Sequence, residues 1–411
     1  MQNLFEIRNN RIGDKVWSVR KSGKLRITLL FTIFVIGIVF IFMRLTMPVN
    51  YQKTQDMEHL VTDLVSSNKL IKNCVLYVAR GDGSFTWSGA AGIANQAGRI
   101  PMTKDTPIYL ASITKIYVAT IIMKLYEQNS IHLDDKISKY LPQELIQGLN
   151  VYQGHDYSGE ITIEQLLAHT SGIPDYYGEK GKDGKTLFEI FKNDQHRRWT
   201  VEDQVARVRN DLASRSMPGQ TASYSDTNYQ LLGKIIESIT SKPLQNVLSE
   251  MLFIPLNLKH TWLTGDQSVQ ERSIVADVFS GEENITNMRS NSFYWADGGI
   301  VSTVEDEVIF LKALKEGRII KPATLEMMHH WNPIQNSGPF EYGFGTMEIK
   351  VLPAPDILPV WGHSGSTGSF LYYSPVKDLY IAGSINQTNN GPTAIFWMIK
   401  AMQKAASTDK F

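Results

Sequence analysis

Three short strings hold most of the reactive side chains of this 411-residue chain: Ser112-Ile113-Thr114-Lys115, Tyr224-Ser225-Asp226 and His363-Ser364-Gly365. They combine a hydroxyl nucleophile, an amine on the same helical face, a phenol that can move a proton, and a glycine-bearing strand edge. Together they make a set for serine acyl transfer. Ser-x-x-Lys also occurs at Ser18, Ser66, Ser374 and Ser407, so context has to select among them. Only Ser112 stands where an extended apolar segment, Ile108-Tyr109-Leu110, turns into an amphipathic helix. A serine at a helix start points backbone N–H groups and the positive dipole end at an oxyanion formed there. Lys115, once desolvated and crowded by another polar group, loses its proton readily enough to act as a base for the hydroxyl. Near a lysine ammonium, Tyr224 is expected to titrate low enough to shuttle a proton to a leaving group. Residues 362–368 read as a strand edge whose glycines admit a substrate backbone. The Ser366 N–H can complete an oxyanion hole with that of Ser112. Each string alone also has an ordinary structural reading: Ser112 and Asp226 as helix caps, Lys115 as a solvated first-turn charge, His363 as a polar turn residue.

The elements that must hold these strings follow from hydrophobic period. Met57, Leu60, Val61, Leu64 and Val65 recur at helical spacing, and 75–79 and 85–88 read as strands around the hairpin chemistry of Gly81-Asp82-Gly83-Ser84. From 112 to 129 the helical pattern returns, closed by Asn129-Ser130. Helical signals dominate about 133–272, at 163–169, 201–212, 229–239 and 244–252, and strand signals reappear at 342–351, 369–374 and 379–384. A last apolar helix covers 393–405. The simplest arrangement is a sheet built from both chain ends with a helical region inserted between. Residues 178–186 only superficially suggest a phosphate loop, because Glu179 stands where that pattern demands glycine. With no zinc pattern and no dinucleotide fingerprint, no metal and no cofactor are expected.

Basic and acidic residues balance at 41 each, which argues against a nucleic-acid partner. The N-terminus breaks that balance, with Arg8, Arg11, Lys15, Arg20, Lys21, Lys24 and Arg26 against only Glu6 and Asp14. Residues 27–43 then run without a charge, about seventeen residues, just enough to cross a hydrocarbon core of roughly 30 Å. No small-residue cleavage site follows Arg44, so the span reads as an uncleaved signal anchor. The positive-inside rule then keeps residues 1–26 cytoplasmic and the rest outside, with the lipid bilayer as a partner. Residues 44–55 read as a linker of at most ~40 Å, and 56–408 as the globular domain that carries the three strings. Cys74, the single cysteine, has no disulfide partner and is expected in the core.

With these strings in this order, and with the phrases at 163–173 (Ile-Glu-Gln-Leu-Leu-Ala-His-Thr-Ser-Gly-Ile) and 296–303 (Ala-Asp-Gly-Gly-Ile-Val-Ser-Thr), the chain resembles a known family. It is similar to the serine hydrolases related to class C β-lactamases and D-alanyl-D-alanine carboxypeptidases, over about residues 57–404. The resemblance implies an α+β fold: an antiparallel β-sheet flanked by helices on both faces, an inserted mainly helical domain, and the site between. It implies Ser112 as the acylated nucleophile, Lys115 as its proton partner and Tyr224 as general base and acid. His363 takes the place that lysine holds in most β-lactamases. His169-Thr170-Ser171-Gly172 reads as a structural turn and not as a second triad.

The chain departs from the family at position 226, usually an asparagine whose amide both donates and accepts. Asp226, as a carboxylate, can only accept. It adds a negative charge, and His363 in place of lysine removes a positive one, so the pocket tilts from anion toward cation recognition. Substrates ending in a carboxylate, such as penicillins and D-Ala-D-Ala stems, should lose, and a D-alanyl ester with its free amine should gain. The expectation is a membrane-anchored extracellular serine hydrolase acting on D-alanyl groups of the cell envelope. It would be a carboxypeptidase on the peptidoglycan stem peptide or an esterase on D-alanylated teichoic acid, with Asp226, Gly365 and Ser366 binding substrate. The alternatives are a β-lactamase, or a non-hydrolytic penicillin-binding or sensor protein that is acylated without turnover.

Overall fold

The structure, a computed structural model, describes residues 49–194, 196–264, 274–286, 294–335, 338–350 and 354–407. The expected anchor at 27–43 and the basic tail before it lie outside the described residues. Among those described, no helix is long and apolar enough to cross a membrane. The chain divides into two units, Met1–Gln55 and Asp56–Phe411. Of the first, only residues 49–55 are described, the opening of the helix Val49–Ser67.

The second unit is built on a nine-stranded sheet, antiparallel throughout. Its order is Asn332–Pro333, Phe340–Tyr342, Met347–Ile349, Val360–Ser364, Ser369–Ser374, Leu379–Ser384, Asn73–Arg80, Thr86–Asn95 and Ile100–Pro101. The first strand of the chain therefore pairs with the last, Val75 opposite Ser384 and Arg80 opposite Leu379, as the segment pattern predicts. The strand expected over 342–351 is instead two, Phe340–Tyr342 and Met347–Ile349, with a turn between them where Thr346 Oγ1 bonds to Met328 O.

Period-two alternation sorts the strand residues between two cores. Cys74, Leu76 and Val78 face one, and Val75 with Tyr77 the other. The first core is closed by Met57, Leu60 and Val61 of the N-terminal helix and by Trp397, Met398 and Met402 of the helix Gly391–Ala406. The Trp397 indole donates to Leu60 O at 3.2 Å. Each of these buried apolar side chains stabilises the fold by roughly 1.5–3 kcal/mol. Cys74 lies here as expected, and burial pushes its thiol up to about 12.

The opposite face is covered by the helix Val304–Lys315, through Phe310, Leu311 and Leu314, and beyond it by the helical region. That region includes Thr114–Glu127, Ile163–Leu167, Val201–Asp211, Asp226–Thr240 and Leu244–Leu248. Asp226–Thr240 begins ahead of the hydrophobic period at 229 because its first turn is polar and buried. Thr227 Oγ1 there donates to Pro174 O at 2.7 Å and accepts the Tyr176 N–H at 3.1 Å. A second sheet of three short strands, Ile108–Tyr109, Ile300–Ser302 and Trp262–Leu263, delivers the chain to the start of Thr114–Glu127.

Candidate active site

Ser112 owes its position to a strand that ends abruptly. Tyr109 pairs with Val301, and Leu110 N–H donates to Ile300 O at 2.9 Å. The chain then turns through Ala111, at φ +47°, into the 3-10 turn Ala111–Ile113, which continues as Thr114–Glu127. A left-handed alanine is a strained conformation, and strain of this kind collects at functional sites. Thr114 Oγ1 accepts from Ile300 N–H at 3.0 Å, tying the first turn to the same strand. Lys115 is fully buried. Its Nζ donates to Ser112 Oγ at 3.1 Å and to Asp297 O at 2.7 Å, and lies 2.5 Å from Asp226 Oδ1. The Asp226 contact is ionic, without the alignment of a hydrogen bond.

Tyr224 packs with its ring centroid 5.1 Å from Lys115 Nζ. Its buried hydroxyl lies against Ser112 but makes no well-aligned hydrogen bond. The expected low titration of this phenol is overturned. Burial first, and then the Asp226 carboxylate, hold it well above its usual range, with the Ser112 contact pulling the other way. Desolvation penalises the phenolate, and the Asp226 carboxylate, itself against Lys115, adds to that penalty.

Two further buried carboxyl groups, Asp175 and Asp297, lie within electrostatic reach of Asp226, and sequence reading missed both. Asp175 accepts backbone N–H groups from Tyr177, Gly178 and Asp226 at 3.0–3.2 Å. Asp297 accepts from Tyr176 OH at 2.5 Å, Gln230 Nε2 at 3.1 Å and Trp295 N–H at 3.1 Å. Burial, and next the charge of Asp226, push both up to about 7. Asp297 left a trace in the 296–303 phrase. Nothing in the sequence pointed to Asp175.

His363 lies on the strand Val360–Ser364 with its side chain fully buried. Its Nδ1 is 2.7 Å from Ser364 O, an oxygen that can only accept, which leaves Nε2 to accept from Tyr342 OH at 3.1 Å. Burial, then Lys115, pull the imidazole down to about 3, so it is neutral as expected. With both nitrogens occupied it offers no charge to a carboxylate, and its ring sits 6.4 Å from that of Tyr224. A Cβ on Gly365 would fall 2.4 Å from Leu110 O and 3.1 Å from Ala111 Cβ. Only glycine permits that approach of the strand edge to the turn before Ser112. Ser366 is exposed on the following turn, which is closed by Gly368 N–H to Gly365 O at 3.0 Å. The fold thus gathers Ser112, Lys115, Tyr224 and Asp226, sets His363 beside Tyr224, and brings Gly365 against the nucleophile turn. Among the described residues, no group of His, Cys, Asp and Glu side chains could hold a metal ion.

Comparison with known proteins identifies the family. The chain is 26% identical over 298 residues to a penicillin-binding protein of Bacillus subtilis, an alignment that takes in 69% of this chain and 60% of that protein. It is 24% identical to a putative D-alanyl-D-alanine carboxypeptidase of Escherichia coli, over 71% of each chain. A D-stereospecific amidohydrolase from Streptomyces sp. superposes with a TM-score of 0.67 at 25% identity, covering 85% of this chain and 98% of the other. The family model described as Beta-lactamase matches residues 72–399, most of the chain, and the protein belongs to that family.

Proposed function

We propose that this chain is a serine hydrolase that removes D-alanyl groups from cell-envelope material through an acyl-enzyme on Ser112. The observation that carries the reading is Lys115 Nζ at 3.1 Å from Ser112 Oγ, in a site where Tyr224 is the other neighbour of that hydroxyl. Lys115 hands a proton to the Asp226 carboxylate and, as the resulting neutral amine, takes the hydroxyl proton of Ser112 as Oγ attacks the acyl carbonyl; that proton later replaces the one Tyr224 gives up. Tyr224, held as a neutral phenol, gives a proton to the leaving group as the old bond breaks. Water then attacks the ester and frees Ser112. Backbone N–H groups of Ser112 and Ser366 hold the oxyanion.

The charges favour an acyl group that carries a free amine. Among the described residues, the buried Lys115 ammonium is already matched by Asp226, Arg215 beside Tyr224 is paired with Glu179, and His363 is neutral, so each cation near a substrate carboxylate is already engaged. The name of the Streptomyces amidohydrolase supports action on D-configured substrates, and those of the curated relatives support the cell-wall stem peptide. Esterase action on teichoic acid belongs to the same reading. So does tethering by residues 27–43, with the hydrolase domain outside the membrane. Incubation with a fluorophosphonate followed by mass spectrometry should place one adduct on Ser112, and an adduct that persists in Ser112→Ala sinks the assignment. Release of D-alanine from D-alanylated lipoteichoic acid but not from a D-Ala-D-Ala pentapeptide is the expected preference.

One observation favours a second reading, a penicillin-binding or sensor protein that acylates without turnover. Tyr224 is driven up by burial and then by Asp226, and as a neutral phenol is a poor base for a deacylating water. An adduct with penicillin that outlasts hours without product would select that reading.

A further inference from the structure

We propose that His169 is a positioning residue for Tyr224, bracketing it with a backbone carbonyl, an Nδ1 lone pair and the face of its ring. The proposal rests on the reading that Tyr224 moves a proton in the reaction. Ser223 N–H donates to His169 O at 2.8 Å, and Ser225 N–H donates to His169 Nδ1 at 3.2 Å. Tyr224 is thereby held on both sides by one residue. The peptide unit after it is clamped at its other end too, where Arg215 Nη1 donates to Tyr224 O at 2.9 Å. The His169 ring then packs on the Tyr224 ring, centroids 4.4 Å apart, with Tyr342 at 4.4 Å on another side.

His169 also pays a conformational penalty that a mere connector would avoid. It follows the helix Ile163–Leu167 at φ +57°, and Thr170 N–H reaches back to Gln165 O at 2.9 Å. That is the left-handed position after a helix which glycine usually fills. A histidine kept there is explained by what its side chain does. A backbone N–H can only donate, so Nδ1 carries no proton, and the proton sits on Nε2, which is buried and unpartnered. Burial, then Lys115, hold the ring far below its usual range, so it stays neutral and Nδ1 stays free to accept. Ser171 Oγ donates to Asn228 Oδ1 at 2.7 Å, which turns Asn228 Nδ2 toward the same Nδ1 at 3.2 Å. Gly172 lets the turn close, since a Cβ there would lie 2.2 Å from Ser216 O. The His-Thr-Ser-Gly phrase is therefore a cradle for the Tyr224 segment.

The test is the rate of Ser112 labelling by a fluorophosphonate in His169→Ala, His169→Asn, His169→Gln and Tyr224→Phe, each with its melting temperature. Asparagine tolerates the left-handed backbone and puts an oxygen near the place of Nδ1, whereas glutamine puts it one bond too far. A phenol displaced by about 1 Å should slow the Ala and Gln variants by about 10–100-fold, with Asn within about threefold of the parent. Equal rates for Asn and Gln, or an Ala variant as fast as the parent, overturn the proposal. If His169→Ala does not fold, the Asn and Gln pair decides alone. Tyr224→Phe separates the two levels. Parental labelling in that variant defeats the role of Tyr224 itself, whereas slow labelling there beside fast His169 variants defeats only the positioning.

Discussion

The two faces of the main sheet solve burial in opposite ways. Under the terminal helices the core is aliphatic and aromatic throughout, and its sole thiol is held inert by burial. On the other face the helical region buries Lys115, Asp175, Asp226, Asp297 and His169 within one neighbourhood. Burial of apolar surface is non-directional and additive, so the first face tolerates change by degrees. The second depends on matched charges, where loss of one partner strands another. The second face also holds the larger apolar core, and the chemistry is set within it.

Lys115→Met tests this contrast most severely. It leaves the Asp226 carboxylate, 11% exposed, without its cation, and should destabilise the fold by about 3–5 kcal/mol in urea unfolding. Ser112 labelling should vanish as well. Adding Asp226→Asn should return much of the stability and none of the labelling. Recovery of labelling in the double variant would show that Lys115 serves only as a counter-ion.

Trp397→Ala probes the apolar face. Removing the indole and its bond to Leu60 O should cost about 3–5 kcal/mol, with the rate of Ser112 labelling unchanged below the melting temperature. A slowed rate would mean that the two faces are mechanically coupled.

The smallest effect is in pH. Asp175 and Asp297 bind protons more tightly when folded, about 7, than at their ordinary 3.8. The folded state thus holds extra protons between those values. The contribution of this pair to stability is full below about pH 4, falls as pH rises through about 7, and is level above that. Asp226→Asn removes the charge that is second only to burial in raising both groups, so the fall should move to lower pH. Trp397→Ala should leave its position unchanged. Urea midpoints at a series of pH values measure both, and an unshifted fall in Asp226→Asn would remove Asp226 as a cause.

Legibility in the sequence followed the same division. The strands at 75–79, 369–374 and 379–384 and the helices at 201–212 and 393–405 carry strong apolar periods, and the structure has them within a residue or two of those bounds. The polar first turn of Asp226–Thr240 has no such period, and the 342–351 segment hides its turn within a run of strand-forming residues. Ser112, Lys115, Tyr224 and Asp226 could be named in advance because their strings are short and ordered. Asp175 could not, because its link to the site is a bond to the Asp226 backbone, and no local pattern announces such a contact.

By itself the sequence determined which groups are present, their order, and the helix start that pairs Ser112 with Lys115, since spacing along a helix is a local property. Only the tertiary structure decided their charge states. It put Asp226 on Lys115, raised Tyr224 where a lowered value was expected, occupied both nitrogens of His363, and set His169 around Tyr224. Desolvation and Coulomb energy depend on distance in space, and the chain brings these residues together from segments far apart in sequence.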